Sequence, residues 1–264
     1  MSSFKRVRVE LELTPTVFKD YTAKIVKSYL ICVDPSFKEV FSTEGGLKEV
    51  HITPLLDERG HAIYPKRVVK CSFCKDSKPG GEGEVKLPKR AYFELSGPEE
   101  LVMRAFSFGD CKLKLGKAEL EIKSLGAEEF NVEVELSEAV SIKFRGPAVL
   151  RDPWLIGRGL RTRFLPTPIN LFSTNAYFLY REKYKEVLME IDESLVEDHS
   201  SLHSVGKVWY YYSGKWLPAL SGSLLLWVRK ESEVVKEVLY HAALLGVGSG
   251  RAAGFGDVLV SSVV

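Results

Sequence analysis

The sequence predicts an α+β fold in which one β-α-β-β-α-β order runs twice. Three observations carry this. Short runs such as Val7-Arg8-Val9-Glu10-Leu11-Glu12-Leu13 alternate apolar and charged residues, the period of a half-buried strand. Apolar residues at helical spacing separate those runs. The order of strand-like and helix-like segments then begins again past residue 128. The two halves, 1–128 and 129–264, each read as a split βαβ, or ferredoxin-like, domain.

In the first half, Thr14-Pro15-Thr16 ends the first strand and caps a helix whose apolar side is Val17, Phe18, Tyr21, Ile25, Tyr29 and Leu30. Lys24 and Lys27 fall toward its other side. Glu49 to Leu55 reads as the second strand and Ala91 to Leu95 as the third. Ser96-Gly97-Pro98-Glu99-Glu100 opens the second helix, with proline and acids in its first turn. Strand material runs from Leu113 to Ile122 around Leu115-Gly116-Lys117. The poorly periodic, charged stretch 71–90 reads as an exposed insertion.

In the second half, 132–136 and 140–145 read as strands and 170–188 as helix. Strands at 208–212 and 222–228 flank a Ser213-Gly214 turn. The last helix spans 231–245 and the last strand 255–260.

Between those last two elements lies Gly246-Val247-Gly248-Ser249-Gly250-Arg251-Ala252-Ala253-Gly254-Phe255-Gly256, with five glycines and one arginine. Glycines at this density allow positive φ and close approach of another chain, and successive N–H groups in such a loop can cradle an anion. Arg251 would add a guanidinium fork for phosphate. A plain turn is the simpler reading. A dinucleotide fingerprint does not fit, because that motif follows a strand and opens a helix.

Composition narrows the function classes. A chain of 264 residues, 45% hydrophobic and 27% charged, can bury a core in one large or two small domains. A net charge of +2 means that a nucleic-acid surface must come from segregated charge. Acids concentrate at 119–138 and 186–198, and bases at 65–70, 85–90 and 151–163. No run reaches the ~20 apolar residues of a membrane span, and the start lacks an apolar signal core. These features read as a cytoplasmic protein without membrane association. Of the four cysteines, Cys71 and Cys74 make one CxxC, half of a zinc site, with Cys32 and Cys111 far away. Incidental thiols come ahead of zinc or a disulfide, and no cofactor is expected.

The Gly-x-Gly-x-x-x-x-x-Gly-x-Gly spacing at 246–256, on a doubled ferredoxin-like plan, resembles the repeat-associated RNA-binding superfamily of CRISPR systems. Within it the chain looks most like the sixth CRISPR-associated protein family, the endoribonuclease that processes precursor CRISPR RNA. Val50 to Leu55 and Phe144-Arg145-Gly146-Pro147 resemble that family's two strand-and-proline landmarks. The resemblance implies metal-independent cleavage of CRISPR repeat RNA to give mature guide RNAs. A 2′-hydroxyl would attack the adjacent phosphate, leaving a 2′,3′-cyclic phosphate. It also allows an effector complex and a homodimer as further partners.

Many members use a histidine near the end of the first helix, and none lies between Tyr21 and Lys48. Others use lysines, which here match Lys24, Lys27 and Lys48. His51, on the second strand, is the alternative base, with a buried structural role equally open to it. Tyr21 reads as core. Gly248, Gly250, Arg251 and Gly254 are the RNA contacts that the loop implies. Arg158, Arg161 and Arg163 sit in a Gly- and Pro-punctuated loop suited to an RNA backbone. Lys66, Arg67 and Lys70 would line the edge of the first domain. Trp154 and half of the Trp209–Tyr212 run could stack bases. The absent histidine keeps open a repeat-RNA-binding relative that does not cleave. A zinc-dependent or metabolic protein on the same scaffold is the third reading.

Overall fold

The computed structural model describes residues 4–42, 48–68, 78–156 and 161–263. The chain forms two compact units. One holds Met1–Asn131 with Trp209–Leu217 and Ala252–Gly254, and the other holds Val132–Val208, Pro218–Arg251 and Phe255–Val264.

The first unit is built on β1 (Phe4–Leu13), α1 (Ala23–Val33), α2 (Phe37–Ser42), β2 (His51–Ile52), β3 (Arg90–Pro98), α3 (Glu99–Val102), β4 (Cys111–Leu115) and β5 (Ala118–Glu129). Its sheet order is β2-β3-β1-β5-β4, and the neighbouring strands run antiparallel. Without the edge strand β4 this is the ferredoxin-like arrangement. Alternation along β1 places Val7, Val9, Leu11 and Leu13 in the core, together with Ile25, Val26, Tyr29 and Leu30 of α1. On the opposite face Arg6 is also buried, paired to Glu94 of β3 through Nη2 at 2.6 Å and Nε at 3.0 Å. The β4–β5 hairpin turns at Gly116, φ +63°, where the Leu115-Gly116-Lys117 turn is expected.

The second unit repeats the order with β6 (Ala139–Ala148), α4 (Pro168–Tyr180), α5 (Tyr184–Ser194), β7 (Leu195–Glu197), β8 (Val205–Tyr212), β9 (Lys215–Val228), α6 (Glu233–Leu245) and β10 (Val258–Val263). The strand order β10-β6-β9-β8 is again ferredoxin-like, with β7 paired to β9. Leu171, Phe172, Leu188, Ile191, Val238, Leu239 and Ala242 are among the helical residues buried against the sheet.

Several boundaries differ from the sequence reading. The first helix starts at Ala23 rather than after Thr16, because Val17–Phe18 pairs as a short strand with Val85–Lys86. Ser96 does not cap a helix: β3 runs on to Pro98, and α3 is a single turn continued as 3-10 helix, Met103–Ser107. Residues 132–136 are not strand despite their alternation. The expected helix 170–188 is two helices, broken at Arg181, φ +45°. Cys32 and Cys111 are not incidental thiols: they form a disulfide joining α1 to β4, since the helix crosses that edge strand 79 residues away in sequence. Cys71, Cys74 and Lys70 lie outside the described residues. Among the described residues no helix is long and apolar enough to cross a membrane.

Candidate functional site

Lys24 and Lys27 stand on α1, where the helix turns its buried side (Ile25, Val26, Tyr29, Leu30) to the sheet and leaves both lysines half-buried. Their surroundings differ. Lys24 Nζ is 2.6 Å from Asp20 Oδ2 and 2.8 Å from Ser213 Oγ, with its charge 4.8 Å from the Tyr212 ring centroid. Asp20 is held in turn, since its Oδ1 accepts from the N–H groups of Tyr21 and Ser213. Asp20 and Ser213 thus hold the Lys24 side chain in place.

Lys27 and Lys48 meet at Phe41 of α2. The Lys27 ammonium lies 5.1 Å from the Phe41 ring centroid, and Lys48 Nζ donates to the Phe41 carbonyl. Burial pushes the Lys48 pKa below the ordinary lysine value, and the charge on Lys27 pushes it the same way. Desolvation disfavours an ammonium and a like charge disfavours it further. The two lysines thus share the surroundings of Phe41, with the Lys48 ammonium disfavoured by burial and by the Lys27 charge.

His51 is fully buried on β2, opposite Ser96 of β3. That burial fits the structural role that the sequence reading left equally open to it. Its strand lies at one end of the first unit's sheet, paired to β3.

The glycine-punctuated segment is largely turned in on its own unit. The N–H groups of Gly246, Val247, Ser249, Phe255 and Gly256 donate to Ala242, Gly256, Val149, Gly250 and Pro147 carbonyls. Gly256, φ +75°, has no room for a side chain, because a Cβ would collide with the Val247 carbonyl. Gly248 and Gly254 are buried, while Gly250 is exposed. Tyr21 OH donates to the Gly254 carbonyl at 2.6 Å. Gly254, φ +85°, lies so close to Ala23 that a Cβ there would strike the alanine methyl. The residue read as core therefore also fixes the segment beside the start of α1.

Arg251 is only 3% exposed, and its guanidinium lies 5.5 Å from the Phe178 ring centroid. Burial lowers its pKa to about 10. Beside it the buried His241 has its pKa lowered to about 3, first by desolvation and then by the Arg251 charge. Asn175 Nδ2 bridges His241 Nδ1 and the Gly246 carbonyl, both at 2.9 Å. This interior position does not fit the expected direct contact of Arg251 with RNA phosphate. The helical residues Phe178 and His241 enclose it, and nothing in its Gly-rich neighbourhood announced them. Arg145 of the second landmark is structural too, with Nε 2.7 Å from Asp257 Oδ2 and Nη2 3.0 Å from Oδ1.

Arg161 and Arg163 are exposed beside Trp154, which is 52% exposed. Arg163 pairs with the buried Asp152 at 2.5 Å, and Asp152 Oδ1 accepts from the Trp154 N–H. Arg158 lies outside the described residues. Lys66 and Arg67 are exposed, with Arg67 5.4 Å from the Trp216 ring centroid. Of the aromatic run, Tyr210 and Tyr211 are buried. Missed by the sequence reading was the Asp20 clamp on Lys24, although the i,i+4 spacing of the pair was there to be seen.

The fold defines a class: a doubled ferredoxin-like α+β protein with a glycine-rich connection into its last strand. Solved structures of this fold include Thermus thermophilus Cas6, with TM-score 0.60, 14% identity and 99% of each chain covered. A Cas6-related protein from Pyrococcus furiosus gives TM-score 0.58 at 12% identity, covering 98% of this chain and 99% of that one. A RAMP protein binding different RNA substrates gives TM-score 0.55 at 15% identity, covering 98% and 100%. The chain thus has a Cas6-like fold over its whole length. No family model matches the sequence, and no curated protein matches it either.

Proposed function

We propose that this protein binds CRISPR repeat RNA and cleaves it without a metal ion, giving a 2′,3′-cyclic phosphate and a 5′-hydroxyl. The observation that carries the reading is the Lys27–Lys48 pair at Phe41, on a fold shared with Cas6 proteins, one of which is a Cas6 product complex. Transesterification needs a group to take the 2′-hydroxyl proton, a proton for the leaving 5′-oxygen and positive charge at the phosphorane. Lys48, eased toward its neutral form, takes the 2′-hydroxyl proton, and the departing 5′-oxygen takes a proton from solvent. Lys27 stabilises the equatorial charge, and Lys24, fixed by Asp20, holds a neighbouring phosphate. Arg161 and Arg163 track the RNA backbone, and the exposed backbone about Gly250 approaches it. Buried Arg251, Gly248 and Gly254 shape that segment from within.

A protein that binds the repeat without cutting it is the second reading, favoured by the burial of His51. End-labelled repeat RNA incubated with the protein in EDTA separates the two. One site-specific cut with a cyclic-phosphate end supports the nuclease. A gel shift with intact RNA supports the binder and removes the enzyme.

A further inference from the structure

Away from the lysines, the first unit carries a cleft of about 230 Å³ lined by Arg8, Glu10, Glu58, Arg90, Tyr92 and Leu125. It is smaller than the ~300–1,000 Å³ pockets that take whole drug-sized ligands, so it has room for one planar ring system. It is a built feature of the fold. The turn carrying Glu58 is tied to β3 by mutual backbone bonds between Leu56 and Tyr92, 2.7 and 3.0 Å long. Asp57 Oδ1 closes that turn by accepting from the Arg59 and His61 N–H groups. At Gly60 the turn passes the Tyr92 hydroxyl so closely that a Cβ there would sit 3.2 Å from it.

The cleft's charges are not used up on one another. Arg8 rests its guanidinium 4.5 Å from the Tyr92 ring centroid and reaches Glu94 by one long bond of 3.5 Å. Glu94 is already engaged by Arg6. Arg8 Nε is buried without a hydrogen-bond partner among the described residues. Glu10, Glu58 and Arg90 make no ion pair among them. A neighbouring cleft of about 470 Å³ shares Glu58 and Arg90 and adds Asp57, Arg59 and Lys89, the last paired to Glu12 at 3.1 Å.

We propose that the smaller cleft takes a guanine base from single-stranded RNA, with the flanking phosphates lying against Arg59 and Arg90 of the larger one. Guanidinium planes and aromatic rings are the surfaces on which unstacked RNA bases settle. Guanine alone offers a carboxylate two adjacent donors, N1–H and N2–H, while giving a guanidinium two adjacent acceptors, O6 and N7. Glu10 and Glu58 supply the first partner, Arg8 and Arg90 the second. Adenine and cytosine lack the edge with two adjacent N–H donors, and uracil lacks both edges. The inference rests on the RNA-binding reading above but requires no cleavage.

The test is fluorescence anisotropy with the full chain and labelled pentaribonucleotides UUGUU, UUAUU, UUCUU and the same oligomer with central inosine. Guanine binds roughly ten-fold tighter than adenine or cytosine, as expected for one bidentate contact. Inosine, which lacks the N2 amine, falls between. The exposed substitutions Glu10→Gln and Glu58→Gln, made together, abolish the preference and leave the far-ultraviolet circular dichroism unchanged. Equal affinity for all four, no binding of any, or a guanine preference that survives the double substitution overturns the inference, even if repeat RNA is cleaved. A guanine preference without repeat cleavage keeps it and removes the nuclease.

Discussion

Among single residues, the three candidate lysines separate by their partners. Replacing Lys48 with alanine should cost roughly 10²–10⁴-fold in cleavage rate, the usual weight of one positioned proton-transfer group, with RNA affinity little changed. Lys24→Ala should weaken binding and leave the single-turnover rate at saturating protein within a few-fold, because Lys24 is engaged by Asp20 and Ser213 and is assigned to phosphate binding. A slow single-turnover rate for Lys24→Ala and a normal one for Lys48→Ala would reverse the assignment. His241 makes a separate prediction about stability. Its pKa is about 3 when folded, against 6.5 when free. Between those values the unfolded chain binds a proton that the folded one excludes, so stability falls as the pH drops from about 6.5 toward 3. The slope is up to ~1.4 kcal/mol per pH unit. Urea unfolding at several pH values should show this slope reduced in His241→Gln. An unchanged slope would mean that other groups set the acid limb.

At the level of elements, α1 is held at its start, at Lys27 and at its last turn. Tyr21 and Ala23 meet Gly254 at its start, Phe41 of α2 stands beside Lys27, and the Cys32–Cys111 disulfide holds its last turn to β4. Gly254→Ala combines a left-handed backbone with a clash against Ala23. It should lower stability by about 1–3 kcal/mol and reduce cleavage as well, measured by thermal unfolding beside the RNA assay. A neutral outcome would show that the segment has room to move. Removing the disulfide by Cys32→Ser should cost roughly 2–4 kcal/mol, because the bond closes a 79-residue separation; unchanged urea midpoints with and without reductant would contradict this. Elements whose burial follows their own periodicity were legible in the sequence: β1, α6 and the turns at Gly116 and Ser213-Gly214. Those decided by distant partners were not. Val17–Phe18 pairs with 85–86, β3 continues through Ser96, and 132–136 alternates without joining a sheet. Within the candidate site, lysine spacing on α1 could be read directly. The Lys48–Phe41 contact, the Ser213 contact of Lys24 and the burial of His51 and Arg251 depend on tertiary neighbours and could not.

For the whole molecule, two ferredoxin-like units in one chain reproduce the plan of Cas6 structures at 12–15% identity. So little shared sequence leaves the fold as the common property and makes the lysine pair this chain's own claim to chemistry. A net charge of +2 means that the proposed RNA binding would rely on local groups rather than on the field of the whole protein. The most direct measurement is the pH dependence of single-turnover cleavage of repeat RNA in EDTA, for the wild type and for Lys27→Met. If neutral Lys48 takes the 2′-hydroxyl proton, the rate rises with pH and levels off below the pH expected of an ordinary lysine. Loss of the Lys27 charge raises the Lys48 pKa and moves that limb to higher pH. A profile that Lys27→Met slows without shifting, or the absence of any cut, would contradict the account.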